Sequence, residues 1–329
     1  MRLAVSTCSV ETVNQLISEA GGKKDLKNKV IPNKISNFDK RDMKLAYIML
    51  LPALIMLSVF VIVPLIMAIQ KSFYDWNFYI NSVFVGFENY RIIIKTVYFQ
   101  KAVINVIKFV VVIVPLMLFL SFIFANVLKG LSKKFSTAVK TAIYIPGIVS
   151  GIATSVIFIF VLDYKGGIIN QILMQLGFSR VAFLNDPFWA GLSIIIPTIW
   201  LGLGGSTILM YAGLMNVPTE YYEAASVDGA TALKKMIYIT IPQMKNIFVL
   251  MCISLTAGTL QMFDIPYMLT GGGPSNSTLT PMLYLYNNYR DTSKSMGYTI
   301  AGAVLMLILI TAINSIVFTV IKSDRTMEG

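Results

Sequence analysis

The residue types that carry most enzyme chemistry are scarce in this sequence. It contains no histidine, which excludes a Ser-His-Asp triad, a histidine-ligated zinc ion and a histidine proton relay. Its two cysteines, Cys8 and Cys252, lie in a polar and an apolar stretch, and we expect neither a disulfide nor a metal site from them. The phosphate-binding pattern G-x-x-x-x-G-K-[ST] does not occur, so the chain cannot hydrolyse ATP by that route. We therefore expect no catalytic residue, metal or cofactor in this chain.

A few polar or small residues interrupt stretches that are otherwise apolar, and these residues could contact a solute. Polar groups at membrane depth usually face a protein interior or a wet cavity, because lipid solvates them poorly. The candidates are Thr198, Gly202, Ser206, Gln261 and Asp264. A purely structural role is also open for each residue type: hydroxyl groups hydrogen-bond between helices, glycine permits close packing, and a carboxylate near the outer surface is simply solvated.

The loop formed by residues 212–245 has a spacing that suits contact with another protein. Pro218 favours a helix start, and Glu223 falls in the first turns, where an acidic group suits the helix dipole. Gly229 suits the end of that helix, and a second amphipathic stretch follows until Pro242 stops it. The pattern predicts two short exposed helices joined by a sharp turn, which a partner protein could grip.

Composition indicates that a bilayer positions these residues. The chain is 56% hydrophobic and 13% charged, whereas soluble chains carry about 25% charged residues. Six stretches are long enough to cross about 30 Å of hydrocarbon, and they must be helices because unpaired backbone groups are costly in lipid. The predicted spans are 45–69, 104–128, 141–162, 191–215, 246–263 and 297–321.

The distribution of Lys and Arg predicts the orientation. With the N-terminus inside, the inner segments hold 18 of these residues and the outer segments hold 8. Both termini are therefore expected in the cytoplasm, and topology rather than nucleic-acid binding explains the net charge of +11. Residues 1–44 form a basic tail that could lie on anionic lipid, and an upstream mis-start before Met43 is the alternative.

The loop resembles the EAA motif of ABC-importer permeases, which reads E-A-A-x3-G-x9-I-x-L-P. The matching residues are Glu223, Ala224, Ala225, Gly229, Ile239 and Pro242. Ile241 stands where leucine is usual. The resemblance implies that residues 212–245, called the coupling loop below, dock into a cleft of a cytoplasmic ATPase. Glu223 and Gly229 would be the main docking residues, with Asp228 beside the turn.

The likeness extends over about residues 41–321 and favours the carbohydrate branch of this family, which includes the maltose porter. Trp200-Leu201-Gly202 and the run LTGGGPSNSTLT after the fifth span fit that branch. The fold it implies is an all-α integral membrane protein with the six transmembrane helices of a type I ABC importer permease and cytoplasmic coupling helices. Thr198, Gly202 and Gln261 fall close to the sugar contacts of the maltose-type relative.

The resemblance also implies partners. They are a second homologous permease subunit in a heterodimer, an ATPase dimer that binds ATP and magnesium, and an extracellular solute-binding protein that delivers a sugar or oligosaccharide. Transport would proceed by alternating access. The expected organisation is a tail at 1–44, a permease domain at 45–321 in the cell membrane, and a cytoplasmic tail at 322–329.

Two other functions are weighed against an importer subunit. A stand-alone carrier or channel has no use for the coupling loop and should show internal repeats, which we do not find. A membrane enzyme lacks plausible catalytic groups here. The sequence does not distinguish which sugar or polyol is carried. The segment Gly271-Gly272-Gly273-Pro274 is expected to be a flexible turn, either touching the binding protein or serving as a connector.

Overall fold

The computed structural model describes residues 37–77, 80–291 and 295–321. Two short strands, β1 Tyr74–Asn77 and β2 Ile80–Phe84, pair antiparallel. Two π-helical turns, Ser58–Ile62 and Met236–Thr240, and a 3-10 turn, Ile145–Ile148, also occur. The α-helices, numbered in chain order, are α1 Asn37–Leu57, α2 Val63–Lys71, α3 Glu88–Lys95, α4 Val97–Gly130, α5 Lys133–Tyr144, α6 Gly151–Leu162, α7 Ile168–Gln175, α8 Pro187–Met215, α9 Thr219–Val227, α10 Ala232–Lys235, α11 Ile241–Gln243, α12 Lys245–Leu260, α13 Asp264–Thr270, α14 Pro281–Arg290 and α15 Met296–Ile321.

Within the described part of the chain, four helical runs are long and apolar enough to cross a membrane. They are Met43–Lys71, Val97–Gly130, Pro187–Met215 and Met296–Val320. The first, second, fourth and sixth predicted spans coincide with these runs, and the predicted all-α class is confirmed. The hairpin of β1 and β2 is an addition that the sequence reasoning did not foresee.

The third predicted span, 141–162, is not one helix. α5 ends at Tyr144, a 3-10 turn containing Pro146 follows, and α6 begins at Gly151 with its axis turned by 95°. Proline removes a backbone donor, and Ser150 is extended and caps α6 by accepting the Ala153 N–H at 3.2 Å. The apolar run thus forms two helices joined by a sharp bend.

The fifth predicted span, 246–263, corresponds to α12, which ends at Leu260. Residues 261–263 are irregular, and the short helix α13 follows. The run that precedes α12, Ala232–Gln243, is bent from it by 67°. The third and fifth predicted spans are therefore broken. Residues at both interruptions, Gly151 and 261–263, take part in the candidate site.

Each π-helical turn is followed closely by a proline. The Val63 N–H donates to the Ser58 carbonyl before Pro64, and the Ile241 N–H donates to the Met236 carbonyl before Pro242. Because proline has no N–H and its ring crowds the preceding turn, a wider turn lets the helix continue. This explains why the helix expected to stop at Pro242 runs on to Gln243.

Three clusters of buried side chains lie along α4. Phe99 belongs to the first cluster with Leu283 of α14, Phe109 to the second with Ile194 of α8, and Ala125 to the third. α4 therefore packs against α14 near its start, against α8 in its middle, and near its end against the cluster that Tyr222 and Ile239 of the coupling loop adjoin.

One glycine on α8 permits direct contact between backbones. A Cβ atom at Gly204 would collide with the carbonyl oxygen of Ile143 and the Cα of Tyr144, at the end of α5. Without a hydrophobic drive between helices in lipid, such close approach is a principal source of packing energy. Gly204 thus acts in packing, one of the two roles that the sequence left open for glycines in this span.

Candidate functional site

The first coupling helix, α9, ends in a Schellman motif at Gly229. The Gly229 N–H donates to the Ser226 carbonyl at 3.1 Å, and the Ala230 N–H donates to the Ala225 carbonyl at 2.8 Å. Gly229 has φ +72°, in the left-handed region that side chains disfavour, and a Cβ there would meet nothing within 4 Å. The glycine is required by its backbone angle and not by crowding.

The second coupling helix begins at a cap. The Thr231 hydroxyl accepts the Lys234 N–H at 3.4 Å, and α10, the π-turn and α11 form one continuous run up to Gln243. Ile239 packs against the third buried cluster, while Pro242 is exposed. The predicted pair of helices with a sharp turn is confirmed.

Tyr222 ties the coupling loop to the membrane domain. Its hydroxyl shares a 2.9 Å hydrogen bond with the Thr240 hydroxyl, which joins the two coupling helices. The Lys129 ammonium, in the last turn of α4, lies 4.4 Å from the centre of the Tyr222 ring. A second link joins the helices, because the Lys235 ammonium donates to the Ser226 hydroxyl at 2.6 Å. The sequence reasoning missed Tyr222 and Thr240, since their pairing depends on how the loop folds back.

The side of the coupling loop that carries the motif residues is exposed. Glu223, Ala224 and Asp228 are exposed, and Ala225 is half-buried. Large apolar side chains lie on the same loop, with Val227 89% exposed and Tyr238 75% exposed. Apolar surface left uncovered on a polar loop is typical of a protein contact. The motif residues are thus held on a braced element and presented outward.

A cavity of about 530 Å³ lies where the broken spans meet the continuous ones. Ile113 and Met117 of α4 form one side, α8 contributes a second, and the start of α6 with the junction of α12 and α13 forms the rest. The lining residues outside α4 are Gly151, Thr198, Leu201, Gly202, Ser254, Leu255, Gly258, Thr259, Gln261, Met262, Phe263, Asp264 and Ile265.

The cavity brings together four of the five residues proposed for a solute pathway. Thr198, Gly202, Gln261 and Asp264 line it, whereas Ser206 is half-buried one helical turn beyond Gly202 and is not among the lining residues. Ser206 was predicted on its polarity and its position in the span, which do not specify whether a side chain reaches the cavity. The sequence reasoning did not foresee the part played by Met117 and Gly151, because their place follows from tertiary packing.

The polar lining groups are partly committed to their own helices. The Thr198 hydroxyl donates to the Ile194 carbonyl at 2.7 Å, and the Gln261 side-chain amide donates to the Ala257 carbonyl at 3.1 Å. The Thr198 oxygen and the Gln261 amide oxygen are both still able to accept hydrogen bonds. These two oxygens can therefore accept hydrogen bonds from the hydroxyl groups of a polyhydroxylated molecule in the cavity.

Gly202 sets the width of the cavity beside α4. A Cβ at this position would lie 2.7 Å from the terminal methyl of Met117, so a larger residue would have to displace that flexible side chain. On the far side, a Cβ at Gly151 would lie 3.0 Å from the Cβ of Asp264. Two glycines thus leave room for the side chains that face the cavity.

The segment at Gly271–Pro274, expected to be a flexible turn, is held by several hydrogen bonds. The buried Asn105 amide of α4 donates to the carbonyls of Asn276 and Leu279 at 2.7 and 3.1 Å. The Thr278 hydroxyl donates to the Gly273 carbonyl at 2.7 Å. The loop is therefore braced against α4, a role that glycine content alone did not indicate.

Among the described residues, no group of three His, Cys, Asp or Glu side chains could hold a metal ion.

Comparisons with known proteins agree with this architecture. The chain is 31% identical to the sulfoquinovosyl glycerol transport system permease protein SmoG of Agrobacterium fabrum, over 90% of this chain and 96% of that protein. It is 32% identical to the lactose transport system permease protein LacF of Rhizobium radiobacter, over 81% of this chain and 90% of that one. A solved bacterial ABC transporter involved in the import of the acidic polysaccharide alginate has a chain with the same fold, with a TM-score of 0.75 at 23% identity, covering 87% of this chain and 97% of that chain.

Residues 99–323 match the family described as the inner membrane component of binding-protein-dependent transport systems. This match contains the coupling loop, both broken spans and every residue that lines the cavity. The chain belongs to the family of membrane components of binding-protein-dependent transport systems.

Proposed function

We propose that this chain forms half of the translocation pathway of an ATP-driven importer for a sugar or small oligosaccharide. The observation that carries the proposal is the coupling loop, which presents Glu223 outward while Tyr222 joins it to α4. Relatives are named for the transport of sulfoquinovosyl glycerol and of lactose, which supports a carbohydrate as cargo.

Three partners complete the proposed importer. A cytoplasmic ATPase dimer, which binds ATP and magnesium, docks on Glu223, Gly229 and the motif residues around them. A second permease supplies the other half of the pathway, because this chain has a single EAA loop. An extracellular binding protein delivers the cargo, as the family description supports. The excess of Lys and Arg on one side supports cytoplasmic termini, which places the coupling loop beside the ATPase.

The pathway proposed here is the cavity lined by Thr198, Gly202, Gln261 and Asp264. α4 connects it with the coupling loop, since Met117 lines the cavity and Lys129 contacts Tyr222 twelve residues later on the same helix. When the ATPase dimer closes, movement of the loop is passed to α4 and changes which end of the cavity is open. This is alternating access driven by an external motor.

A charge reversal on α9 tests the docking. Glu223→Lys should lower the amount of ATPase that co-purifies with the assembled complex by more than about tenfold, because a charge at the contact is reversed. Glu220→Lys is the matched control, since Glu220 lies on the same exposed helix one turn earlier. It should reduce co-purification by less than about threefold, as expected at the rim of an interface.

The competing function is a carrier that works alone. It would be supported if no ATPase co-purified with the native chain and if the chain by itself moved sugar into lipid vesicles, with Glu223→Lys harmless. ATP-dependent uptake that requires the binding protein and is lost in Glu223→Lys would support the importer.

A further inference from the structure

The described wall of the cavity carries a single ionisable group. Asp264 is the one acidic or basic residue that lines it, and the other polar lining residues are neutral, such as Thr198, Ser254 and Gln261. Among the described residues, no Lys or Arg nitrogen lies within 4 Å of the Asp264 carboxylate. The wall supplied by this chain is therefore negative, with no cation to meet an acidic ligand.

The position of Asp264 explains how the charge is held. Its Oδ2 lies 3.2 Å from the place where a Cβ on Gly151 would stand, so the carboxylate sits against the first residue of α6. The start of a 12-residue helix favours an anion, because its dipole and its free backbone N–H groups are positive there. The chain's own carboxylate thus lies beside a helix start, a place that suits an anion.

We infer that the cargo is a neutral carbohydrate and that Asp264 is the residue that selects it. The inference rests on the proposed function, and it concerns the choice between classes of sugar. A neutral sugar offers hydroxyl donors to the Asp264 carboxylate and to the Gln261 and Thr198 oxygens. A uronic or sulfonic sugar would bring a second negative charge next to the exposed Asp264 carboxylate, and like charges repel each other.

The comparisons do not decide between these classes, because one similar protein is named for lactose, another for sulfoquinovosyl glycerol, which carries a sulfonate, and a similar fold serves in the import of acidic alginate. The charge on the wall that this chain supplies favours the neutral class. The position of Asp264 also explains the glycine at 151, since any side chain there would push the Asp264 carboxylate away from the start of α6.

The test measures binding without the binding protein, whose own specificity would hide that of the cavity. The assembled complex in lipid nanodiscs is examined by saturation-transfer NMR with maltotriose as the neutral probe and trigalacturonate as the acidic one, without nucleotide and with a non-hydrolysable ATP analogue. The native complex should bind maltotriose at least about tenfold more strongly than trigalacturonate.

Asp264→Asn should weaken maltotriose binding by about tenfold, because a neutral amide oxygen accepts hydroxyl donors less strongly than a carboxylate. The same variant should strengthen trigalacturonate binding. Glu88→Gln removes an equal charge at an exposed position of α3 and should change the binding of neither probe. Thr198→Val tests the location of the site, since it should weaken whichever probe binds there.

Two results would overturn the inference in different ways. If trigalacturonate bound as well as maltotriose, and Thr198→Val weakened both, the neutral class would be wrong while the proposed pathway stood. If neither probe bound, and uptake by the complex were unchanged in Thr198→Val and Asp264→Asn, this cavity would not be the pathway and both proposals for it would fail.

Discussion

The coupling loop and the cavity are built in opposite ways. The loop is a local structure: a left-handed glycine, a threonine cap and a π-turn before a proline fix its shape within about 25 residues. The cavity takes its wall from α4, α6, α8, α12 and α13, and none of these encloses it alone. An energy-coupling surface can therefore be encoded in one segment, whereas a solute site depends on the whole bundle.

The coupling loop and the cavity should therefore fail separately. A defect in the loop should lower ATPase docking and uptake together while sugar binding stays intact. A defect in the cavity should lower sugar binding and uptake while the ATPase stays attached.

The largest effect is expected at Gly229. Gly229→Val places a branched side chain at φ +72°, which costs roughly 1–2 kcal/mol or more and distorts the turn. Binding-protein-stimulated ATPase activity and uptake should both fall by about tenfold or more, with maltotriose binding unchanged. The matched control is Gly177→Val, because Gly177 has φ +84° in a similar turn after α7. Equal loss of coupling in both variants would contradict a specific role for the loop.

The next effect is expected at Gly202. Gly202→Ala adds a Cβ that would lie 2.7 Å from the Met117 methyl, so that side chain must move, and crowding of this kind costs about 1 kcal/mol. Uptake should fall by about fivefold while the ATPase remains docked and active. Gly205→Ala on the same helix should be neutral, because a Cβ there meets nothing within 4 Å. Loss of ATPase docking in Gly202→Ala would break the separation between the two regions.

A smaller effect on transport is expected at Tyr222, which links the coupling loop to α4. Tyr222→Phe removes the hydrogen bond to Thr240 but keeps the ring beside Lys129, at a cost of about 1 kcal/mol shared between stability and coupling. The number of sugars imported per ATP hydrolysed should drop by about two- to threefold, a ratio that reduced expression alone would leave unchanged. Tyr221→Phe, on the exposed face of the same helix, is the control.

The smallest effect is expected at Ser206. Ser206→Ala should change uptake by less than about twofold, since its side chain is not among those that line the cavity. A loss as large as that of Gly202→Ala would show that the pathway extends along α8 past the cavity, and the boundary drawn here would be wrong.

The sequence predicted the loop better than the cavity for a physical reason. Gly229, Thr231 and Pro242 act on the backbone next to them, so their effect can be deduced from neighbouring residues. The role of Met117 and Gly151 depends on what lies opposite them across the bundle, which one sequence does not specify. Polarity at membrane depth selected Thr198, Gln261 and Asp264, which line the cavity, and also Ser206, which is not among the lining residues.

The predicted spans show the same difference between features that depend on the local sequence and features that depend on tertiary packing. Apolar length located the continuous helices at 97–130, 187–215 and 296–320 within a few residues at one or both ends. It did not reveal the 95° corner at residues 145–150, because apolar residues are equally suited to a straight helix and to a broken one. Pro146 was a visible signal, but Pro115 and Pro197 remain inside unbroken helices, so proline alone does not identify the break.

The continuity of α4 gives it the mechanics of a lever. Met117 and Lys129 are twelve residues apart on one helix, a separation of about 18 Å at the α-helical rise of 1.5 Å per residue. If the helix tilts about the level of Met117, a rotation of about 10° displaces the Lys129 end by about 3 Å. A rigid arm of this length would turn a movement of about 3 Å at the loop into a change of angle at the cavity.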